Sequence, residues 1–375
     1  MVGIVTMVRR LIRGPNRALR IPGLILVLIL VFGYRNVGGS WDVAEASEEA
    51  VRTTTTSPET SSPEVPTLTP PFPPSLSSSP EKTLFTVQRD IPYYAEDQIT
   101  DAYQRSQCRL DLWIPGTSGT GETGDGADTG EAEVAGNGNT GETGITSPVA
   151  NKPFATIVWY HGGGLTGGRK YLPDALRTVA LEREGMAIAT IGYRLSPQAE
   201  LPAFIEDAAA AAAWVKRHIG AYGGDPDRVF LCGGSAGGYL AAMIGTDPRW
   251  LEPYDLKPRD FAGLIPVSAQ VTTHFHVKVL REIPGDSFRP VIDEYAPLAH
   301  LSVDLPPILL ILGDRRIEWK ARVEENEFMS ASLRAMGHPD VTFREFTGFD
   351  HGISSLDKDC EPLVVEALVE FVRGH

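Results

Sequence analysis

Three short stretches of the chain concentrate the residue types that carry out acyl transfer. The sharpest is Gly233-Gly234-Ser235-Ala236-Gly237-Gly238, a Gly-x-Ser-x-Gly pattern with a further glycine behind it. Small neighbours let the backbone turn sharply from a strand into a helix and lift a serine hydroxyl clear of the sheet. A serine so placed also sits at a helix N-terminus, where amide dipoles stabilise a developing oxyanion. A phosphate-binding loop is the competing reading, but it wants a lysine after the last glycine, and none is there. Ser235 is therefore read as a nucleophile.

The second stretch, His161-Gly162-Gly163-Gly164, lies some 70 residues earlier. Successive backbone N–H groups without side chains can converge on a small anion. In acyl transfer they would hold the oxygen of a tetrahedral intermediate, joined by the amide of Ala236 just after the nucleophile. His161 itself is read as the residue that fixes this loop. The third stretch, Gly348-Phe349-Asp350-His351-Gly352, supplies the best general base among the eight histidines. It follows an expected strand and precedes the last helix. His218 falls on an Ala-rich helix, His338 in a helix-end turn, and His375 at the end of the chain. His300 precedes a strand, at the wrong end of a sheet for catalysis, and His274 and His276 are expected at the surface.

These residues need a scaffold that delivers them to one edge. Strands are predicted at Thr83–Tyr94, Gln107–Ile114, Phe154–Tyr160, Met186–Tyr193, Arg228–Cys232, Leu264–Val267, Ile308–Leu312 and Val341–Phe346. Helices are predicted at Pro173–Glu184, Ile205–Ile219, from Gly237 to Ile244, Arg322–Met336 and Pro362–Arg373. Strands separated by helices pair in parallel through crossovers, giving an open α/β sheet covered on both faces. Ligands of such sheets bind beyond the strands' C-terminal ends. The Gly-x-Ser-x-Gly, the glycine run and His351 each follow a strand.

The chain has 375 residues, 42% of them hydrophobic, with 34 basic and 48 acidic side chains and a formal net charge of −14. That excess of acid argues against a nucleic-acid partner, which needs a basic surface. Three scattered cysteines, Cys108, Cys232 and Cys360, allow at most one bridge and fit neither a disulfide scaffold nor a zinc site. No metal or cofactor is expected. Residues 1–46 read as an export signal or a signal anchor: a basic start, a short apolar run from Ile21 to Tyr34, and the small-residue triplet Ala44-Glu45-Ala46. A membrane contact is expected only if that run stays as an anchor, and the bulk of the protein is expected outside the cytoplasm. About two-thirds of residues 47–80 are Ser, Thr or Pro, the composition of a solvated tether. Residues 81–375 are left as one catalytic domain. It is interrupted at 116–152 by a Gly-, Thr- and acid-rich insertion that repeats Thr-Gly-Glu-Thr-Gly, expected as a surface loop.

On these motifs, together with Gly192-Tyr193-Arg194-Leu195-Ser196-Pro197, the chain from about Thr83 to His375 resembles an α/β-hydrolase. It is similar to the esterases and lipases with an HGGG oxyanion loop, the branch of hormone-sensitive lipase and the bifunctional feruloyl and acetylxylan esterases. The resemblance implies a mostly parallel twisted sheet with a small cap and a Ser–His–acid triad. It implies hydrolysis of carboxylic esters, small-molecule or polysaccharide-linked; the modest length of the segments expected to roof the pocket points to small or medium acyl groups. By position Gly163, Gly164 and Ala236 match the family's oxyanion donors. The acid departs from the pattern, since its usual slot, three residues past Gly313, holds Arg316. Asp314, at the strand end, is the expected partner of His351, with Glu318 as the alternative. Asp247–Phe261 and Thr272–Asp293 are expected to roof the pocket. Two other readings stay open: an amide hydrolase of the same fold, resembling kynurenine formamidase or a peptidase, and a binding protein on a hydrolase scaffold.

Overall fold

The computed structural model describes residues 85–116, 152–357 and 362–375, all within one compact unit from Ser77 to His375. The expected signal at 1–46, the tether at 47–80, Cys360 and nearly all of the insertion lie outside the described residues.

Eight strands form one sheet: β1 (Phe85–Pro92), β2 (Arg109–Pro115), β3 (Phe154–Tyr160), β4 (Ala187–Ile191), β5 (Gly224–Gly234), β6 (Gly263–Val267), β7 (Ile308–Leu312) and β8 (Val341–Glu345). Their spatial order is β1-β2-β4-β3-β5-β6-β7-β8. β2 runs antiparallel to both β1 and β4, and every pair from β4 to β8 is parallel. Strands such as Phe154–Tyr160 are apolar almost throughout because both faces of a parallel sheet are covered. Val158 and Tyr160 pack into one core layer with Phe204, Leu240 and Met329. Ile157 and Trp159 pack into the other with Leu176, Leu368 and Phe371.

Among the described residues six α-helices accompany the strands: α1 (Ala102–Gln107), α2 (Ala203–His218), α3 (Ala236–Thr246), α4 (Phe275–Leu280), α5 (Arg322–Met336) and α6 (Pro362–Gly374). The alanine run of α2 buries a small-residue face that lets it lie close to the sheet. The helix expected at Pro173–Glu184 is a wider coil at Leu176–Arg183, where the Glu184 N–H reaches back five residues to the Val179 carbonyl. α1 and α4 are too short for helical periodicity to show.

The strand register sets the site. Tyr160 pairs with Gly233, Gly234 with Val267, and Val267 with Ile311. β3, β5, β6 and β7 thus end nearly level, and the segments after them emerge side by side. One expected roof does not form. Asp247–Phe261 follows the C-terminus of α3, eleven residues and about 16 Å from Ser235 at the helical rise. There it makes short turns that lead into β6 at the opposite edge of the sheet. The C-terminal end of a helix that starts at the nucleophile must point away from it. Only Thr272–Asp293, which carries α4, reaches the site.

Candidate active site

Ser235 follows β5 directly, with φ 54° and ψ −115°, a backbone conformation that side-chain-bearing residues rarely adopt. Such strain persists only when the surroundings over-determine it, and here they do. The Ser235 N–H donates to the Val267 carbonyl at 2.8 Å, and its carbonyl accepts from the Tyr239 N–H at 2.9 Å. A Cβ on Gly237 would run into the Tyr160 carbonyl at the end of β3 and the His161 carbonyl just after it, and one on Gly234 into the Ser354 carbonyl of the His351 turn. The glycines of the motif therefore allow the oxyanion loop and the histidine turn to close on the serine.

The loop after β3 is braced as tightly. Gly163 and Gly164 have φ of 117° and 65°. The Gly163 carbonyl accepts from the N–H groups of Thr166 and Gly167 at 3.1 and 3.0 Å. This tight turn leaves the Gly163 and Gly164 amides without an acceptor among the described residues. A Cβ on Gly162 would lie 3.4 Å from Ser235 Cβ, so the loop passes against the elbow. Ala236 is the first residue of α3, where the N–H has no acceptor within the helix. His161 is buried and stacked on Tyr193 at 4.3 Å. Its Nδ1 lies 2.7 Å from the Gly162 carbonyl, which only accepts, so Nδ1 carries the proton. Burial lowers its pKa to about 4, so the ring stays neutral. The Tyr193 hydroxyl donates to the His161 carbonyl at 2.7 Å. The next residue, Arg194, forms a two-pronged ion pair with the fully buried Asp207 at 2.9 and 2.7 Å. The Gly192–Pro197 motif thus holds the oxyanion loop from behind.

His351 follows β8 and opens a short helical turn, His351–Ser355. Its Nε2 is 2.8 Å from Ser235 Oγ, and its Nδ1 is 2.7 Å from Glu318 Oε1. An ionised carboxylate only accepts, so Nδ1 bears the proton and Nε2 faces the serine as the base.

The carboxylate against His351 is therefore Glu318, and the expectation of Asp314 is corrected. Asp314 begins a helical turn, its carbonyl accepting from Ile317 N–H at 2.9 Å and Glu318 N–H at 2.7 Å. Its side chain caps that turn, accepting from Arg316 N–H, Arg316 Nε and Gly348 N–H at 3.0, 2.8 and 3.0 Å. The Arg316 hydrogen bonds, aided by the Gly348 amide, hold its carboxyl well below the usual carboxylate range. One helical turn further on, Glu318 comes back over the strand end. Its Oε2 accepts from Ser268 Oγ at 2.6 Å and Gly313 N–H at 3.2 Å, and its Oε1 from Trp319 N–H at 2.7 Å. Burial alone would raise the Glu318 pKa, but His351, Ser268 and the Trp319 amide outweigh it and the net shift is downward.

Ser268, at the end of β6 with φ 46°, was not foreseen, and its only signal is its place directly after an apolar strand. His274, expected at the surface, is buried and caps α4, its Nδ1 accepting from His276 N–H at 3.2 Å. Cys108 and Cys232 are buried free thiols.

A mostly parallel eight-stranded sheet in this order, with a serine on a tight turn after β5 and a histidine after β8, has the α/β-hydrolase fold. Solved structures agree. The chain is similar to Thermogutta terrifontis esterase 2 phosphoramylated by tabun, with TM-score 0.54 and 19% identity over 77% of this chain and 94% of that one. It is also similar to a truncated carbohydrate esterase from gut microbiota, with TM-score 0.53 and 16% identity over 79% and 99%. In sequence, residues 145–257 match the BD-FAE family model. Relatives in Mycobacterium tuberculosis include a probable carboxylic ester hydrolase, LipM, 29% identical over 52% of this chain and 48% of its own length. The carboxylic ester hydrolase LipN is 31% identical over 53% of this chain and 57% of its own. The chain spans about half the length of the curated relatives it matches.

Proposed function

We propose that the chain is a serine carboxylic-ester hydrolase that works through an acyl-enzyme. The observation that carries this reading is the unbroken hydrogen-bond line Ser235 Oγ–His351–Glu318, with spacings of 2.8 and 2.7 Å. In this mechanism Ser235 attacks the ester carbonyl while His351 Nε2 takes its proton. Glu318 holds the imidazole in the required tautomer and stabilises the imidazolium. The amides of Gly163, Gly164 and Ala236 receive the oxyanion. His351 then gives the proton to the leaving alcohol, and water releases the acid in a second, mirrored step. The named activities of LipM and LipN support the ester as substrate class. The short roof over the site, Thr272–Asp293, supports small or medium esters.

The related Thermogutta esterase is phosphoramylated by tabun, and a phosphorus electrophile of that kind tests the same chemistry here. A fluorophosphonate probe is expected to label the native chain once, at Ser235. Ser235→Ala is expected to abolish labelling and to lower kcat on a soluble ester by about 10⁴–10⁶. A variant that retains a tenth of native turnover overturns the assignment.

The site of action belongs to the same proposal. The basic start and the apolar run Ile21–Tyr34 support export, with the basic end on the cytoplasmic side. N-terminal sequencing of protein secreted by an expressing cell is expected to begin at Ser47; an intact cytoplasmic chain refutes it.

A further inference from the structure

Beside His351 stands a wall of three aromatic rings. Trp319 follows the acid directly, and its N–H is pinned to Glu318 Oε1 at 2.7 Å. Its indole meets the His351 ring edge to face, with centroids 5.2 Å apart at 61°. Phe275, the first residue of α4, meets Trp319 at 5.6 Å and 72°. Its Cζ lies 3.3 Å from where a Cβ on Gly164 would be, so the ring also closes on the oxyanion loop. Phe288 stacks on Phe275 at 5.4 Å and packs against Trp319 at 5.3 Å, with the Lys320 ammonium 4.9 Å over its ring. All three aromatic residues are only half-buried, so part of each stays open to a ligand. The result is a continuous apolar face from the oxyanion loop to the base.

We infer that this face is a subsite for the alcohol half of the ester and selects leaving groups that carry a flat apolar ring. The inference rests on the ester-hydrolase reading and adds a substrate class to it. Its direction comes from the chemistry. The proton that His351 Nε2 takes from Ser235 must pass to the leaving oxygen, which therefore lies next to His351 at the moment of cleavage. The acyl group stays on Ser235 and must leave the His351 side free for the attacking water. Whatever is attached to the leaving oxygen meets the surface packed on His351, and that surface is Trp319 with Phe275 and Phe288 beyond it. Aromatic faces and edges prefer ring partners in stacked or edge-to-face geometry over short alkyl chains.

Phe288 tests this without touching the relay, since its aromatic and cationic neighbours among the described residues are the two other rings and Lys320. In the full chain, Phe288→Ala is measured on two series. One holds acetyl constant and varies the alcohol through ethyl, phenyl and 2-naphthyl. The other holds 4-nitrophenol constant and varies the acyl group from acetyl to hexanoyl. The expected result is a fall of about tenfold in the kcat/KM ratio of 2-naphthyl to ethyl acetate, the effect of removing one ring from the stack that receives the naphthyl group. The acyl-length ratio and the deacylation rate of the shared acetyl-enzyme are expected to stay within about twofold. A shift in the acyl ratio instead assigns the wall to the acyl group and overturns the inference. No shift in either series reduces the wall to packing and also overturns it. If the alanine variant fails to fold, Phe288→Leu keeps the volume without the π-face and is expected to move the alcohol ratio in the same direction. A native chain that hydrolyses no ester of either series would sink the hydrolase reading itself, an outcome distinct from an active enzyme that shows no shift.

Discussion

The loop after β3 and the turn after β7 both serve the same serine, and they are built on different principles. In the first, backbone meets backbone. Gly162 lies against the elbow, Gly163 closes on its own turn, and Gly237 lies against the carbonyls at and just after the end of β3, so that added side-chain atoms would collide with main chain. In the second, side chains compete for positions. Asp314 and Glu318 stand four residues apart on one turn, and Arg316, Gly348, Ser268 and His351 divide between them. Where close approach of the backbone makes a site, only glycine fits and the residue type itself announces the geometry. Where acceptors of equal charge compete, the outcome depends on which donors the tertiary fold brings near.

The largest effect expected from breaking this contrast falls on Glu318. Glu318→Gln keeps the shape but lets the side chain donate, favouring the wrong imidazole tautomer, and kcat is expected to fall by about 10⁴. The fold should hold, because the amide oxygen still accepts from Ser268 or Gly313. Steady-state kinetics on one soluble ester, alongside thermal unfolding, checks both parts. Native-like turnover in this variant would return the acid to Asp314.

That competition also marks how far the amino-acid sequence can be read. The parallel core strands appear as apolar runs because each is buried on both faces, and seven of the eight predicted strands lie within two residues of those found. Ser235 and the glycine loop stand out through spacing, and His351 through its place between the last strand and the last helix. The triad acid does not, because reach from the strand end favours Asp314, whose oxygens are in fact committed to Arg316 and Gly348. Ser268 and the rings of Phe275, Phe288 and Trp319 escape a reading of the sequence for a related reason. Each lies beside the site only through packing across different strand ends, and none belongs to a local pattern. The supposed roof at Asp247–Phe261 fails on a length argument, since an eleven-residue helix intervenes.

A middle-sized effect comes from the backbone-built side. Burial holds the folded His161 pKa near 4. Above pH 6.5 the ring is neutral in both folded and unfolded chain, so it contributes no pH dependence. As pH falls from about 6.5 to about 4, the unfolded ring takes up a proton that the folded one refuses, and stability drops by about 3 kcal/mol. His161→Asn retains a donor for the Gly162 carbonyl but has nothing to titrate. Denaturant unfolding across that window is expected to show the native chain losing more stability than the variant, by about that amount. Parallel curves would mean that the ring is charged, or solvated, in the folded state.

The smallest effect is expected at the losing carboxylate. Asp314→Asn removes a charge, but its remaining oxygen still accepts from the Arg316 or Gly348 amide and keeps the turn closed. Arg316 is 72% exposed, so a guanidinium that loses its partner returns to water rather than standing buried and unpaired. The turn then still carries Glu318 over the strand end to His351, and kcat is expected to change by less than tenfold. The same ester assay as for Glu318→Gln gives the comparison directly. A fall at Asp314→Asn as deep as that at Glu318→Gln would mean that the capped turn is part of the relay, with Asp314 aiming Glu318 as firmly as Ser268 does. A shallow one leaves Asp314 as the cap of a turn whose fourth residue does the work.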